Sequence, residues 1–133
     1  MNRNITLYEA IGGADTVRRM VEAFYPKVQA DPLLGPLFPE DIDPVMEKQY
    51  MFLTQFFGGP SLFSDAYGHP MMRARHMPFK ITPERAQAWL ECMSEAMDEV
   101  ELSGKFREIY YQRLVMTAQH MINSPDEDEE GFE

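Results

Sequence analysis

Residues 82–100 read TPERAQAWLECMSEAMDEV. Thr82 is a helix cap, and Pro83 takes the first helical position, where a missing N–H costs nothing. From there Ala86, Trp89, Leu90, Met93, Met97 and Val100 recur at the spacing of a buried helical stripe. Downstream, Ser103 or Gly104 starts a last helix, with Phe106, Ile109, Tyr110, Leu114, Thr117, Ala118 and Met121 inward, closing before Pro125. Upstream, residues 61–79 have no clean period and contain Gly68, Pro70 and Pro78; long ordered loops of this kind tend to be functional. Before them a helix runs from near Pro44 to Gly58-Gly59-Pro60, with Val45, Gln49, Phe52 and Phe56 on one face. Residues 32–44 hold four prolines and read as a tight corner with one helical turn, apolar through Leu33, Leu34, Leu37 and Phe38. From Asp15 to Asp31, Val17, Met20, Val21, Phe24 and Val28 again follow helical spacing, and Thr6 with Glu9 forms a capping box before Gly12-Gly13. No strand-like alternation and no repeat is present, so the fold is expected to be all-α.

The 133 residues suit one domain, and 44% apolar content supports a packed core. A net charge of −10 argues against a nucleic-acid binder, since a phosphate backbone requires a cationic face. Six of the acidic groups, Asp126 to Glu130 and Glu133, crowd the last eight residues. Like charges at this density repel and bury nothing, which divides the chain into a domain over residues 1–124 and an acidic tail over 125–133. Cys92 is the single cysteine, which leaves no intramolecular disulfide and no cysteine-built zinc site. No apolar run reaches the ~20 residues of a membrane span, and Met1 to Asn4 lack the build of a secretory signal. The expectation is a reduced, cytoplasmic, soluble protein.

Three polar side chains interrupt the apolar stripes. Gln49 sits between Val45 and Phe52, Tyr25 lies one turn beyond Val21, and Trp89 brings an indole N–H that can only donate. Each alone has a plain explanation, because a buried Tyr or Trp usually finds a backbone carbonyl. Together, donors from three helices suggest a pocket for a small polar ligand. Of the histidines, His69 reads as a surface turn and His120 as structural or partly exposed. His76 follows Arg73 and Arg75 and precedes Met77, Pro78 and Phe79. An imidazole beside an apolar wall and flanked by cations fits an iron ligand for haem, whose propionates need charged partners. Lys48 offers another cation at the pocket's edge; the alternative of a solvated or structural His76 stays open on spacing alone.

The chain resembles the truncated haemoglobins, and specifically their second group. The matching stretches are residues 7–13 (LYEAIGG), 23–25 (AFY), 32–34 with 37–39, and 48–49 (KQ). They continue through residues 52–55 (FLTQ), 58–60 (GGP), 68–70 (GHP), 73–76 (RARH) and 88–90 (AWL), so the likeness runs from about Tyr8 to Ile122. Arg75-His76 followed thirteen residues later by Trp89, in register with Tyr25 and the glycine pairs, is its most specific part. The resemblance implies a shortened globin, a two-over-two helical sandwich around haem b in which the usual proximal helix is mostly loop. It implies His76 as the iron's protein ligand and Tyr25, Gln49 and Trp89 as residues facing the gas. Phe38, Phe52 and Phe63 would pack on the haem, and Lys48 and Arg75 would reach its propionates. Val45 stands where this group keeps a small residue, which removes a hydrogen bond there and narrows the way in from solvent. Phe63 stands where some members have a tyrosine, which puts that propionate contact in doubt.

The function so implied is high-affinity binding of dioxygen and other diatomic gases, for scavenging, sensing or redox chemistry, as a monomer or dimer and with a separate reductase as partner. The rival is a haem peroxidase or nitric-oxide-detoxifying dioxygenase, although no distal His–Arg pair is present. A third reading is an all-helical adaptor without cofactor that binds through its acidic tail.

Overall fold

The computed structural model describes residues 6–69 and 71–125; the acidic residues from Asp126 onward lie outside them. Described secondary structure is helical throughout: α1 (Leu7–Ala10), α2 (Gly13–Ala30), a 3-10 turn (Gly35–Leu37), α3 (Asp43–Phe56), α4 (Leu62–Tyr67), α5 (Met72–His76), α6 (Pro83–Glu99) and α7 (Lys105–Met121). Helices α2 and α3 form one layer and α6 and α7 the other, with α2 packed along α6. This is the two-over-two sandwich.

Local chemistry sets most boundaries. Thr6 caps α1 by accepting from the Glu9 N–H, and the Glu9 carboxylate returns to the Thr6 N–H. Gly12 (φ 114°) takes the left-handed turn between α1 and α2, a conformation that a Cβ would strain. Asp31 ends α2 and folds the corner, its carboxylate accepting from the N–H groups of Leu33 (2.8 Å) and Leu34 (3.2 Å). Thr82 accepts from the Arg85 N–H to open α6, as its sequence predicts.

The core is built from α2 outward. Val17, Met20, Val21, Phe24 and Val28 are fully buried against Met93 and Met97 of α6 and Leu53 of α3. Phe57, just past α3, stacks on Tyr110 of α7, which joins the two layers at one end. Gly59 makes the closest approach there. A Cβ on it would stand 2.8 Å from the Thr54 carbonyl and 2.9 Å from the Tyr8 ring. Gly59→Ala should therefore destabilise the fold by about 1–3 kcal/mol, the usual range for overpacking. A urea midpoint equal to the parent's would show that this corner yields without cost.

Two expectations are corrected. Phe106 and Ile109 do not face inward but are exposed, at 46% and 37%. The first turn of α7 is instead tied down by Arg107, whose guanidinium donates to the carbonyls of Leu102 and Ser94 and to Asp98. Its buried stripe is Tyr110, Leu114 and Ala118. Residues 61–79 also contain more helix than their lack of period suggests, in the short α4 and α5. Ser64 anchors α4 by reciprocal bonds with the Gln55 amide at 2.8 and 2.9 Å.

Candidate functional site

A cavity of about 770 Å³, counting its open mouth, lies between the layers. The corner contributes Leu34, Leu37 and Phe38, and α3 contributes Gln49, Phe52 and Leu53. His76 and Ile81 come from the segment around α5. Arg85, Ala86 and Trp89 come from α6, and Leu114, Thr117, Ala118 and Met121 from α7. Aliphatic and aromatic walls with a few convergent polar groups are the usual build of a ligand site.

One side of the cavity is backed by a run of edge-to-face rings. Trp89 meets Phe24 at 5.1 Å between centroids, Phe24 meets Tyr25 at 4.9 Å, and Tyr25 meets Phe38 at 6.0 Å. Tyr25 is only 2% exposed and reaches the cavity's wall through Phe38. Burial pushes its phenol far above the usual range, so it stays a protonated donor. Neither the Tyr25 hydroxyl, the Gln49 amide nor the Trp89 indole makes a hydrogen bond to another described residue, and the fully buried side-chain atoms without a partner are Thr54 Oγ1 and the Tyr110 hydroxyl. Gln49 and Trp89 are half-buried and line the cavity, where their donors can meet a polar guest, and Tyr25 stands behind its wall.

Beyond Phe52, which lines the cavity, two cations lie over a second row of rings. Phe52 leads to Phe63 (6.1 Å) and Phe63 to Tyr67 (5.1 Å). Over this row sit the Arg75 guanidinium, 5.0 Å from the Phe63 centroid, and the Lys48 ammonium, 5.2 Å from that of Tyr67. Phe63 is thus buried behind Phe52 and does not itself line the cavity; Val45, one turn before Gln49, is half-buried and also stands back from it. Tyr67 escaped the sequence reading because it falls in the stretch without period.

His76, half-buried at the end of α5, is the histidine the structure brings to the cavity. His69 and His120 are exposed, and His69 Nδ1 accepts from the Met71 N–H in a surface turn. Burial foremost, with Asp31, Glu95 and Glu91 adding to it, pushes the Cys92 thiol up to about 11, so it stays protonated. No three His, Cys, Asp or Glu side chains among the described residues are grouped to hold a bare metal ion. A single imidazole, apolar walls and nearby cations instead fit a flat macrocycle that brings its own metal and carries acidic substituents. Arg85, also missed, lies one turn before Trp89 on the same face. It donates to the carbonyls of Leu33 (3.1 Å) and Lys80 (2.7 Å), joining the corner to the segment after His76.

Comparison with known proteins gives a consistent answer. The bacterial-like globin family model matches residues 6–123. The chain is 51% identical over 119 residues to group 2 truncated haemoglobin YjbI of Bacillus subtilis, covering 90% of this chain and 89% of that one. The crystal structure of the group II truncated haemoglobin from Bacillus anthracis superposes with a TM-score of 0.94 at 49% identity, over 97% of this chain and 99% of that one. The structure described as a truncated oxygen-avid haemoglobin from Bacillus subtilis gives a TM-score of 0.87 at 51% identity, over 90% of this chain and all of that one (100%).

Proposed function

The chain belongs to the bacterial-like globins as a group II truncated haemoglobin, a haem-based binder of diatomic gases, and from that premise we propose that His76 ligates haem b while Trp89, Tyr25 and Gln49 retain dioxygen. Haem supplies an iron that takes a diatomic gas and, with dioxygen, leaves negative charge on the gas. Phe38, Phe52, Leu114 and Ala118 provide the apolar walls for the ring, and Lys48 and Arg75 the charges for its propionates. Trp89 Nε1–H and the Tyr25 hydroxyl act as donors to the gas, with the Gln49 amide bonding either the tyrosine or the gas. The low polarity around them strengthens each bond, and the raised Tyr25 pKa keeps its proton in place at physiological pH.

The observation that carries this reading is the meeting of His76, Gln49 and Trp89 in one apolar cavity, with the Tyr25 ring of α2 against its wall at Phe38. At about 1–1.5 kcal/mol net for each bond, two of them slow gas release by roughly one to two orders of magnitude. Such holding suits scavenging, sensing or redox chemistry better than bulk delivery, and a relative described as oxygen-avid supports it. Stepwise oxygenation of the reduced, haem-loaded protein should give a reversible spectral change that saturates well below air-level oxygen. Irreversible oxidation without a reversible phase would contradict it.

A further inference from the structure

The segment that carries His76 has little structure of its own. Helix α5 spans five residues, and residues 77–81 then run to the Thr82 cap without helix. Past α5 the backbone turns through bonds from the Met77 N–H to the Ala74 carbonyl (3.3 Å) and from the Phe79 N–H to the His76 carbonyl (3.0 Å). This short stretch places the one imidazole at the cavity.

The residues just past α7 close on this segment through the Asn123 side chain and two backbone bonds. Asn123 Nδ2 donates to the carbonyls of His76 (3.3 Å) and Phe79 (2.9 Å), and Asn123 Oδ1 accepts from the Ile81 N–H (3.0 Å). The backbone N–H groups of Asn123 and Ser124 both donate to the Ile81 carbonyl, at 2.9 and 3.1 Å, and Ser124 Oγ donates to Asn123 Oδ1 at 2.9 Å. Asparagine is suited to this work because it carries two N–H donors and an acceptor on one short arm. Aspartate would keep the acceptor but set a negative oxygen against two carbonyls. The contact joins α7, whose Met121 lines the cavity, to both ends of the 76–81 segment.

We propose that Asn123 is a positioning residue for His76, fixing the backbone that aims the imidazole at the iron. The proposal rests on the reading of His76 as the ligand. A carbonyl held by Asn123 restrains the rotation of α5's last turn, and the Ile81 bond fixes the far end of the segment, so the imidazole is presented in one orientation.

The test uses haem-loaded, reduced protein, with resonance Raman detection of the iron–imidazole stretch and haem transfer to excess apomyoglobin. Asn123→Asp and Asn123→Ala should shift or broaden the stretch and speed haem transfer by about tenfold, the expected effect of one to two lost hydrogen bonds. If both variants melt at a lower temperature but keep the parent's band and transfer rate, Asn123 supports only the fold and the proposal is overturned. Should neither variant fold, the parent protein decides: in its carbon monoxide form the Asn123 side-chain amide hydrogens should exchange slowly with solvent. Exchange as fast as in a free amide overturns the proposal. His76→Ala is run alongside. Survival of the iron–imidazole band in that variant refutes the ligand reading itself; its loss there, beside an unchanged band in the Asn123 variants, refutes only the positioning role.

Discussion

Replacing His76 with alanine should leave the purified protein with little or no specifically bound haem. The imidazole is the one histidine at the cavity, and no other group nearby offers iron a neutral nitrogen: Arg85 is a cation already engaged with two carbonyls, and the Gln49 amide nitrogen is no ligand. Apolar contact with Phe38, Phe52 and Leu114 would still hold the ring weakly, so residual haem should transfer to apomyoglobin at least a hundredfold faster than from the parent, an estimate that assigns about 3 kcal/mol or more to the ligand bond. The fold should survive better than the spectrum, because His76 is only half-buried and lies outside the core around Phe24 and Met93. His69→Ala and His120→Ala alter exposed side chains and should leave the absorption spectrum as it was. Loss of the ferrous spectrum in His120→Ala, with His76→Ala unaffected, would reverse the assignment.

The helices were legible because each carries its own start, period and stop. Thr82-Pro83 opens α6 and Gly58-Gly59-Pro60 closes α3 in the sequence as in the structure. The breaks in those stripes were equally legible: Gln49 and Trp89 line the cavity, and Tyr25 lies one ring behind its wall. Amphipathic spacing alone could not decide how wide the buried band of α7 is. Phe106 and Ile109 fit the period, but the first turn of α7 turns them outward while Arg107 grips the α6–α7 connection.

Arg85 and Asn123 were invisible for a different reason. Each reaches a backbone carbonyl in a segment remote in the chain, 52 residues away for Arg85 and Leu33 and 47 for Asn123 and His76. A carbonyl has no residue identity, so no motif records such a contact. The same holds for the α4–α5 region, where short helices are held by the Gln55–Ser64 pair and by the end of α7 rather than by a period of their own. The identity of the macrocycle came from the family likeness; apolar walls, one imidazole and nearby cations agree with it but do not single it out.

Trp89→Phe probes the account most directly. Phenylalanine keeps a ring against Phe24 and deletes only the indole N–H, so the loss of a donor should outweigh the loss of packing. A hydrogen bond to the gas acts after the gas has arrived, which places the effect in the off-rate. Oxygen dissociation from the variant should be faster by roughly tenfold or more, equivalent to about 1.4 kcal/mol. Carbon monoxide carries less charge on its outer atom and should leave at close to the parent's rate. Both rates are read by stopped-flow displacement on the same preparation of Trp89→Phe and of the parent protein. A selective acceleration of oxygen release is the predicted result. Equal acceleration of both gases would mean that the substitution opened the cavity, and the claim that its donors hold the gas would be contradicted.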